Sequence, residues 1–126
     1  MRALVIEDDD DSRAMFAFEL ESSGFVVSHA ASGKEGLEKV RTFDPDVIVL
    51  DLILPGLSGF SVARAVRGLA RSRNVAIVAV SGLTSEFLRI EALEAGCDVF
   101  LGKPVVPATV VEEAGHLLAR RGGVNF

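Results

Sequence analysis

Short apolar runs recur along the chain, and segments with helical periodicity separate them. The runs are ALVI (3–6), FVVSHA (25–30), VIVL (47–50), VAIVAV (75–80) and VFL (99–101). Most of them are apolar at successive positions, which is typical of strands that are covered on both faces of a parallel sheet. The pattern therefore predicts five buried strands.

The segments between the runs place apolar residues three or four positions apart, which indicates amphipathic helices. The predicted helices are Ser12–Ser23, one that begins with the capping-box spacing Ser32–Glu35, Phe60–Leu69, Ser85–Ala95, and one that Pro107 opens. In the first helix we expect Met15, Phe16 and Leu20 to face the core. Five βα units joined by right-handed crossovers predict a doubly wound α/β domain, a five-stranded parallel sheet with helices on both faces.

The length of 126 residues fits one domain with one core. We expect this domain to span residues 1–121 and residues 122–126 to form a short C-terminal tail. The composition, 49% hydrophobic with a net charge of −5, indicates an ordered globular protein and argues against direct binding of nucleic acid.

The lack of a recognisable membrane span or signal peptide and the use of cysteine favour the same compartment. No apolar run approaches the roughly 18 residues of a membrane span, so we expect no membrane contact. The sequence turns acidic at Glu7, which is too early for a signal peptide. Cys97 is the only cysteine, so no intrachain disulfide can form. These features predict a cytoplasmic protein.

Polar side chains stand where the predicted strands end, and ligands of open parallel sheets bind at that edge. The residues are Glu7 and Asp8 after strand 1, Asp51 after strand 3, Ser81 after strand 4, and Lys103 and Pro104 after strand 5. If strand 2 lies at the edge, in the order 2-1-3-4-5, the other four strand ends share one crevice. Carboxylate and carbonyl oxygens suit a hard cation such as Mg²⁺, whereas the isolated His29 and His116 offer no alternative site.

Four segments together resemble the receiver domain of two-component response regulators, the CheY-like family, over essentially the whole chain. They are IEDDDDSR (6–13), VIVLDLILPGLSG (47–59), VAVSG (78–82) and FLGKP (100–104). The resemblance implies that Asp51 accepts a phosphoryl group from the phosphohistidine of a sensor histidine kinase or of a phosphotransfer protein. It further implies a switch that catalyses only its own phosphorylation and slow dephosphorylation, and that changes its helix 4, strand 5 and helix 5 surface to regulate a downstream effector protein.

The resemblance also assigns a role to each residue of the crevice. The implied Mg²⁺ ligands are Asp8 and Asp51 directly, Glu7 through water, and the backbone carbonyl of Ile53; Mn²⁺ is an alternative ion. Lys103, held before a cis peptide bond to Pro104, would pair with the phosphoryl oxygens. Ser81 would hydrogen-bond the same oxygens, and Phe100 would be the aromatic side chain that changes its rotamer with Ser81.

Ile53 and Leu83 lie two residues beyond Asp51 and Ser81, and both are aliphatic. Neither side chain can hold a water molecule in line for attack on a phosphorylated aspartate. We therefore expect slow self-dephosphorylation.

Several alternatives stay open at this point. Asp9, Asp10 and Asp11 are expected to form a solvated acidic loop in which one residue caps the first helix. Ser81 could itself cap a helix, and Phe100 could be an ordinary core residue.

Two other functions compete with the switch. A phosphatase of the haloacid dehalogenase type also uses an aspartate nucleophile after a parallel strand, but it needs a second aspartate where Ile53 stands. The other competitor is a receiver-shaped interaction module that is never phosphorylated. Against that module, an unused site would have little reason to keep three mutually repelling carboxylates.

Overall fold

The computed structural model describes residues 1–123, with side chains described through Arg121. Five parallel strands form one sheet in the order β2-β1-β3-β4-β5. They are β1 (Arg2–Ile6), β2 (Val26–Ala30), β3 (Val47–Asp51), β4 (Ala76–Ser81) and β5 (Val99–Gly102). The predicted fold and strand order are confirmed, and each apolar run of the sequence overlaps a strand, with Phe25 and Val75 lying one residue before theirs.

Five helices cover the two faces of the sheet. They are α1 (Asp10–Ser22), α2 (Gly33–Phe43), α3 (Gly59–Gly68), α4 (Glu86–Ala95) and α5 (Pro107–Gly123). Helices α1 and α5 pack on one face, where Phe16 and Val110 join a core with Val5. Helices α2, α3 and α4 pack on the other face, around Leu4 and Ile48.

The central strands are buried on both faces, which explains their unbroken apolar sequences. All five residues of β3 and all six of β4 are buried. Successive residues alternate between the two cores: Ile48 and Leu50 belong to one, Val47 and Val49 to the other. Consecutive positions are therefore apolar wherever helices cover both faces.

The structure differs from the sequence-based expectation at the ends of some elements. Helix α1 begins at Asp10 instead of Ser12, because the side chain of Asp9 accepts a hydrogen bond from the Ser12 N–H and caps the helix. Met15, expected to face the core, is 50% exposed, whereas Phe16 and Leu20 are buried as expected. A short 3₁₀ turn at Ala70–Ser72 was not predicted.

The C-terminal helix extends two residues into the predicted tail. Helix α5 ends at Gly123, and residues 124–126, the rest of that tail, lie outside the described residues. None of the helices within residues 1–123 has the length and apolar character that a membrane span requires.

Candidate functional site

Four strand ends bring the predicted site residues to one edge of the sheet. Glu7 follows β1 directly, Asp51 and Ser81 end β3 and β4, and Lys103 follows β5. The pairing of Asp51 with Val80 and of Ser81 with Gly102 brings these ends level with one another. Strand β2 lies at the sheet edge beside β1, so the crevice forms between the other four strands.

Three carboxylates and one ammonium group meet in this crevice. Glu7 and Asp51 are only 1% and 4% exposed, whereas Asp8 is exposed. One oxygen from each of the three carboxylates lies within 4.8 Å of the others. Lys103 Nζ is 2.7 Å from Glu7 Oε1 and 3.4 Å from Asp51 Oδ2. A single positive charge therefore serves two buried carboxylates.

Burial and the neighbouring charges shift the pKa values of the two buried carboxylates in opposite directions. Burial raises the pKa of Asp51 to about 6, and the neighbouring Glu7 adds to the rise, against the opposing effects of the Ile53 N–H and Lys103. Burial alone would raise the pKa of Glu7 too, but hydrogen bonds from Lys103 and the Asp9 N–H hold it below its usual value. Of Glu7 and Asp51, the pKa of Asp51 is thus the higher, and Asp51 gains a proton first as the pH falls.

Lys103 stays charged in this position. Burial alone would lower the pKa of its ammonium group, but the carboxylates of Glu7 and Asp51 raise it. The peptide bond that follows, between Lys103 and Pro104, is cis. The Lys103 N–H donates to the carbonyl of Ser81 at 2.8 Å and ties the segment to β4.

The loop after β3 wraps closely around Asp51. The Ile53 N–H donates to Asp51 Oδ1 at 3.0 Å. A Cβ atom at Gly59, the first residue of α3, would collide with the carbonyl oxygen of Asp51. Only glycine permits this approach, so the start of α3 packs directly against the backbone at the end of β3.

Hydrogen bonds from a backbone N–H and from an arginine side chain hold the β1–α1 loop in place. The Asp9 N–H donates to Glu7 Oε2 at 3.1 Å. Arg13 Nη1 donates to the carbonyl of Glu7 at 3.0 Å, and Arg13 Nη2 lies 2.5 Å from Asp10 Oδ1. The sequence reading gave Arg13 no role. Its spacing of three residues from Asp10 at the start of α1 was the one available signal.

Ser81 and Phe100 occupy neighbouring strands. Ser81 is buried, and its Oγ accepts a hydrogen bond from the Leu83 N–H at 3.1 Å. The expectation that Ser81 could cap a helix is wrong, since Ser85 caps α4 through the Leu88 N–H. Phe100 is half-buried and packs against the core under α2, α3 and α4.

The two aliphatic residues beside the site point outward. Ile53 is 47% exposed and Leu83 is 57% exposed. They lie on the loops that follow β3 and β4, two residues beyond Asp51 and Ser81, as their positions in the sequence require. Two large apolar side chains therefore stand in solvent near the mouth of a charged crevice.

The donor set fits a hard divalent cation. Among the described residues, the cluster able to hold a metal ion consists of Glu7, Asp8 and Asp51, all oxygen donors, and it includes neither His29 nor His116. Carboxylate oxygens and a nearby backbone carbonyl are the ligands that Mg²⁺ prefers, and Mn²⁺ accepts the same set. Three acids opposite one lysine also leave negative charge for a cation to neutralise.

Residues 3–114 match the family model described as the response regulator receiver domain. The chain belongs to this family. The predicted resemblance is thereby confirmed, and the chain is a receiver domain of the two-component signalling type.

Relatives of this receiver domain differ in their described activities. It is 42% identical over 121 residues to the transcriptional regulatory protein PrrA of Mycobacterium leprae, a match that covers 96% of this chain and 51% of PrrA. It is 39% identical over 124 residues to protein-glutamate methylesterase/protein-glutamine glutaminase 5 of Myxococcus xanthus, covering 95% of this chain and 35% of that protein. The chain therefore spans about half the length, or less, of these curated relatives.

A solved receiver domain has the same fold. The CheY-like response regulator receiver domain protein of Methanospirillum hungatei superposes with a TM-score of 0.90 at 26% identity, over 97% of this chain and 96% of that one. The receiver architecture thus persists where three quarters of the residues differ.

Proposed function

We propose that this receiver domain is a phosphorylation-activated switch that accepts a phosphoryl group on Asp51. The donor is the phosphohistidine of a sensor histidine kinase or of a phosphotransfer protein. The observation that carries the proposal is the convergence of a buried aspartate, two further carboxylates and a lysine ammonium at one edge of the sheet.

Asp51 is suited to act as the nucleophile. Its pKa of about 6 leaves it mostly ionised at neutral pH while keeping it more basic than an ordinary aspartate. An oxygen of Asp51 forms the new bond to phosphorus as the bond between phosphorus and the histidine nitrogen breaks. The electron pair of the broken bond stays on the imidazole of the donor.

Lys103 and Ser81 would stabilise the group that arrives. Lys103 Nζ already lies 3.4 Å from Asp51 Oδ2, so it can pair with phosphoryl oxygens attached there. The hydroxyl of Ser81, at the end of the adjacent strand, can donate to the same oxygens. Both contacts act on charge that phosphorylation brings into the crevice.

Glu7, Asp8, Asp51 and the backbone carbonyl of Ile53 would hold Mg²⁺. The ion would neutralise part of the negative charge shared by the phosphoryl oxygens and the carboxylates. The fit rests on the oxygen donors gathered within 4.8 Å. Glu7, held ionised by Lys103 and the Asp9 N–H, keeps a negative charge ready for this ion.

We propose that Ser81 and Phe100 carry the signal to the α4, β5 and α5 surface. If Ser81 moves toward the phosphoryl group, Phe100 on the neighbouring strand can turn inward. The altered surface would then change its affinity for an effector protein. The described activities of the two relatives, gene regulation and methylesterase activity, are consistent with receiver domains that serve different effectors.

The test is mass spectrometry after incubation with acetyl phosphate and Mg²⁺, which supplies a phosphoryl group without a kinase. We expect one phosphoryl adduct on the wild type and none on Asp51→Asn. Absence of an adduct would favour the non-phosphorylated interaction module. Sustained turnover of added phosphoesters would favour an aspartate-nucleophile phosphatase.

A further inference from the structure

Arg13 bridges the loop that carries the acidic residues. One amino group of its guanidinium contacts the carbonyl of Glu7 at 3.0 Å, and the other lies 2.5 Å from the carboxylate of Asp10. The Arg13 side chain is only 18% exposed, although it stands in the first turn of a surface helix. Its fork therefore closes a ring around the backbone between residues 7 and 10.

Asp8 lies inside this ring and is the exposed member of the carboxylate cluster. Glu7, in contrast, is fixed by Lys103 and by the Asp9 N–H, and its own N–H donates to the carbonyl of Ala30 at 3.0 Å. What places the Asp8 carboxylate is consequently the backbone on either side of it. Arg13 holds that segment at both ends, at one end through the backbone carbonyl of Glu7 and at the other through the side chain of Asp10.

We propose that Arg13 is a positioning residue, which sets the affinity of the site for a divalent cation by fixing the loop that presents Asp8. The inference rests on the proposed function, because the cation site is part of it. Side chains that orient metal ligands typically change metal affinity by about 10- to 100-fold when they are replaced.

The direction in which the Kd for Mg²⁺ changes when Arg13 is replaced distinguishes a positioning role from a purely electrostatic one. Arg13 carries a positive charge next to a site that would bind a cation, so its charge alone disfavours binding. Removing that charge should tighten binding if the side chain acts only through its field. Removing it should weaken binding if the side chain acts by holding the loop.

The experiment is a calorimetric titration of the purified chain with MgCl₂. We expect Arg13→Met to raise the Kd for Mg²⁺ about 10-fold. Arg13→Lys keeps the charge but cannot span both contacts with one planar fork, so we expect an intermediate rise of about threefold.

Arg89→Met is the matched control. Arg89 also pairs with an acid three residues earlier, at 2.7 Å from Glu86, and the substitution removes the same charge from α4. We expect its Kd to stay within about twofold of the wild type.

A double-variant cycle tests whether Arg13 acts through Asp8. Asp8→Asn should weaken Mg²⁺ binding, and Arg13→Met added to it should weaken binding no further, because the positioned carboxylate is already gone. A general structural role for Arg13 would instead give additive losses. Circular dichroism on each variant establishes whether it is folded. If Arg13→Met is unfolded, the Kd of Arg13→Lys tests the proposal in its place.

The outcomes separate this inference from the proposed function. Unchanged or tighter binding in folded Arg13→Met, or additive losses in the cycle, would overturn the role of Arg13 alone. A wild type that binds no Mg²⁺ at millimolar concentration would overturn the proposed cation site, and the role of Arg13 with it.

Discussion

Two clusters of charged groups lie at opposite ends of the same sheet, and they are built in opposite ways. The acidic site at the carboxyl ends of the strands consists of Glu7, Asp8, Asp51 and Lys103. The basal cluster, at the amino ends of β4 and β5, consists of Asp98, Arg67 and Arg121. The first has three acids for one base, and the second has two bases for one acid.

The basal cluster satisfies its polar groups. Asp98 Oδ2 accepts hydrogen bonds from the Ile77 N–H at 2.8 Å, from Arg67 at 3.1 Å and from Arg121 at 3.3 Å. The remaining donors of Arg67 reach backbone carbonyls, those of Gly96 at 2.9 Å, Arg73 at 2.9 Å and Val75 at 2.6 Å. One side chain thus joins α3, the segment before β4 and the α4–β5 connection.

The acidic site holds three carboxylates, and among the described residues Lys103 is the cation that pairs with two of them. Burial raises the pKa of Asp51, and the neighbouring Glu7 adds to the rise. We expect the two ends to act in opposite directions. The basal cluster should raise the free energy of unfolding, and the acidic site should lower it, as is usual for a site built for a reaction such as the proposed phosphoryl transfer.

Replacing Arg67 should break the basal cluster with the largest effect. Arg67→Met leaves the Asp98 carboxylate with one fewer partner and strips three carbonyls of a donor. We expect the free energy of unfolding to fall by about 3 kcal/mol, measured by urea denaturation. Arg64→Met, at an exposed position on the same helix, should change it by less than about 0.5 kcal/mol. A loss below about 1 kcal/mol for Arg67→Met would show that the network contributes little to stability.

Replacing Asp51 should raise the free energy of unfolding, in contrast to replacing Arg67. The pKa of Asp51 in the folded protein, about 6, lies above its unfolded value of 3.8. The folded state therefore binds a proton more tightly, and the stability this proton contributes is full below pH 4 and lost as the pH rises through 6. Asp51→Asn lacks this loss. We expect the variant to match the wild type near pH 4 and to exceed it by about 2 kcal/mol at pH 7 without metal.

The measurement is urea denaturation of both proteins in chelator at several pH values between 4 and 7. Asp11→Asn, which neutralises an exposed acid in the first turn of α1, serves as the control. A difference between wild type and Asp51→Asn that does not grow with pH would contradict the raised pKa.

The sequence predicted most of the fold because the pattern that defines it is local. Runs such as Val47–Leu50 are apolar at every position, since helices cover both faces of the strand. Chain order and handedness then fix which strand ends meet. The site residues were found by the same rule, since Glu7, Asp51 and Ser81 each follow an apolar run directly.

The rest depended on distances that a sequence does not contain. Lys103 pairs more closely with Glu7 than with Asp51, at 2.7 Å against 3.4 Å, and only the packed crevice decides this order. Arg67 and Asp98 are 31 residues apart in the chain, so no local pattern links them. Met15 follows the helical period of its apolar neighbours, yet its position on α1 leaves it half in solvent.

Adding Mg²⁺ should sharpen the contrast between the two ends. A cation that binds only the folded state stabilises it by about 1.4 kcal/mol at ten times its Kd. We expect this gain in thermal unfolding of the wild type and a smaller one in Asp51→Asn, which has lost a ligand. Arg67→Met should keep the full gain from its lower starting point. Indifference of the wild type to millimolar Mg²⁺ would show that the excess charge does not serve a metal.

The smallest expected effect concerns the exposed rim of the acidic site. Hydrolysis of a phosphorylated Asp51 needs a water molecule in line with the breaking bond. Ile53 and Leu83, two residues beyond Asp51 and Ser81, are the exposed side chains that we expect to flank this water. Both are exposed, so polar replacements can be made there without opening a cavity. Asparagine at 53 and glutamate at 83 could hold the water, and one hydrogen bond of about 1 kcal/mol in the transition state would speed decay about fivefold.

The test follows loss of the phosphoryl adduct after acetyl phosphate is removed, in the wild type, in Ile53→Asn/Leu83→Glu and in Ile53→Val/Leu83→Met as the apolar control. Equal decay of all three would show that water positioning at these residues does not set the lifetime. Faster decay in the polar variant alone would show that the aliphatic side chains of Ile53 and Leu83 keep self-dephosphorylation slow.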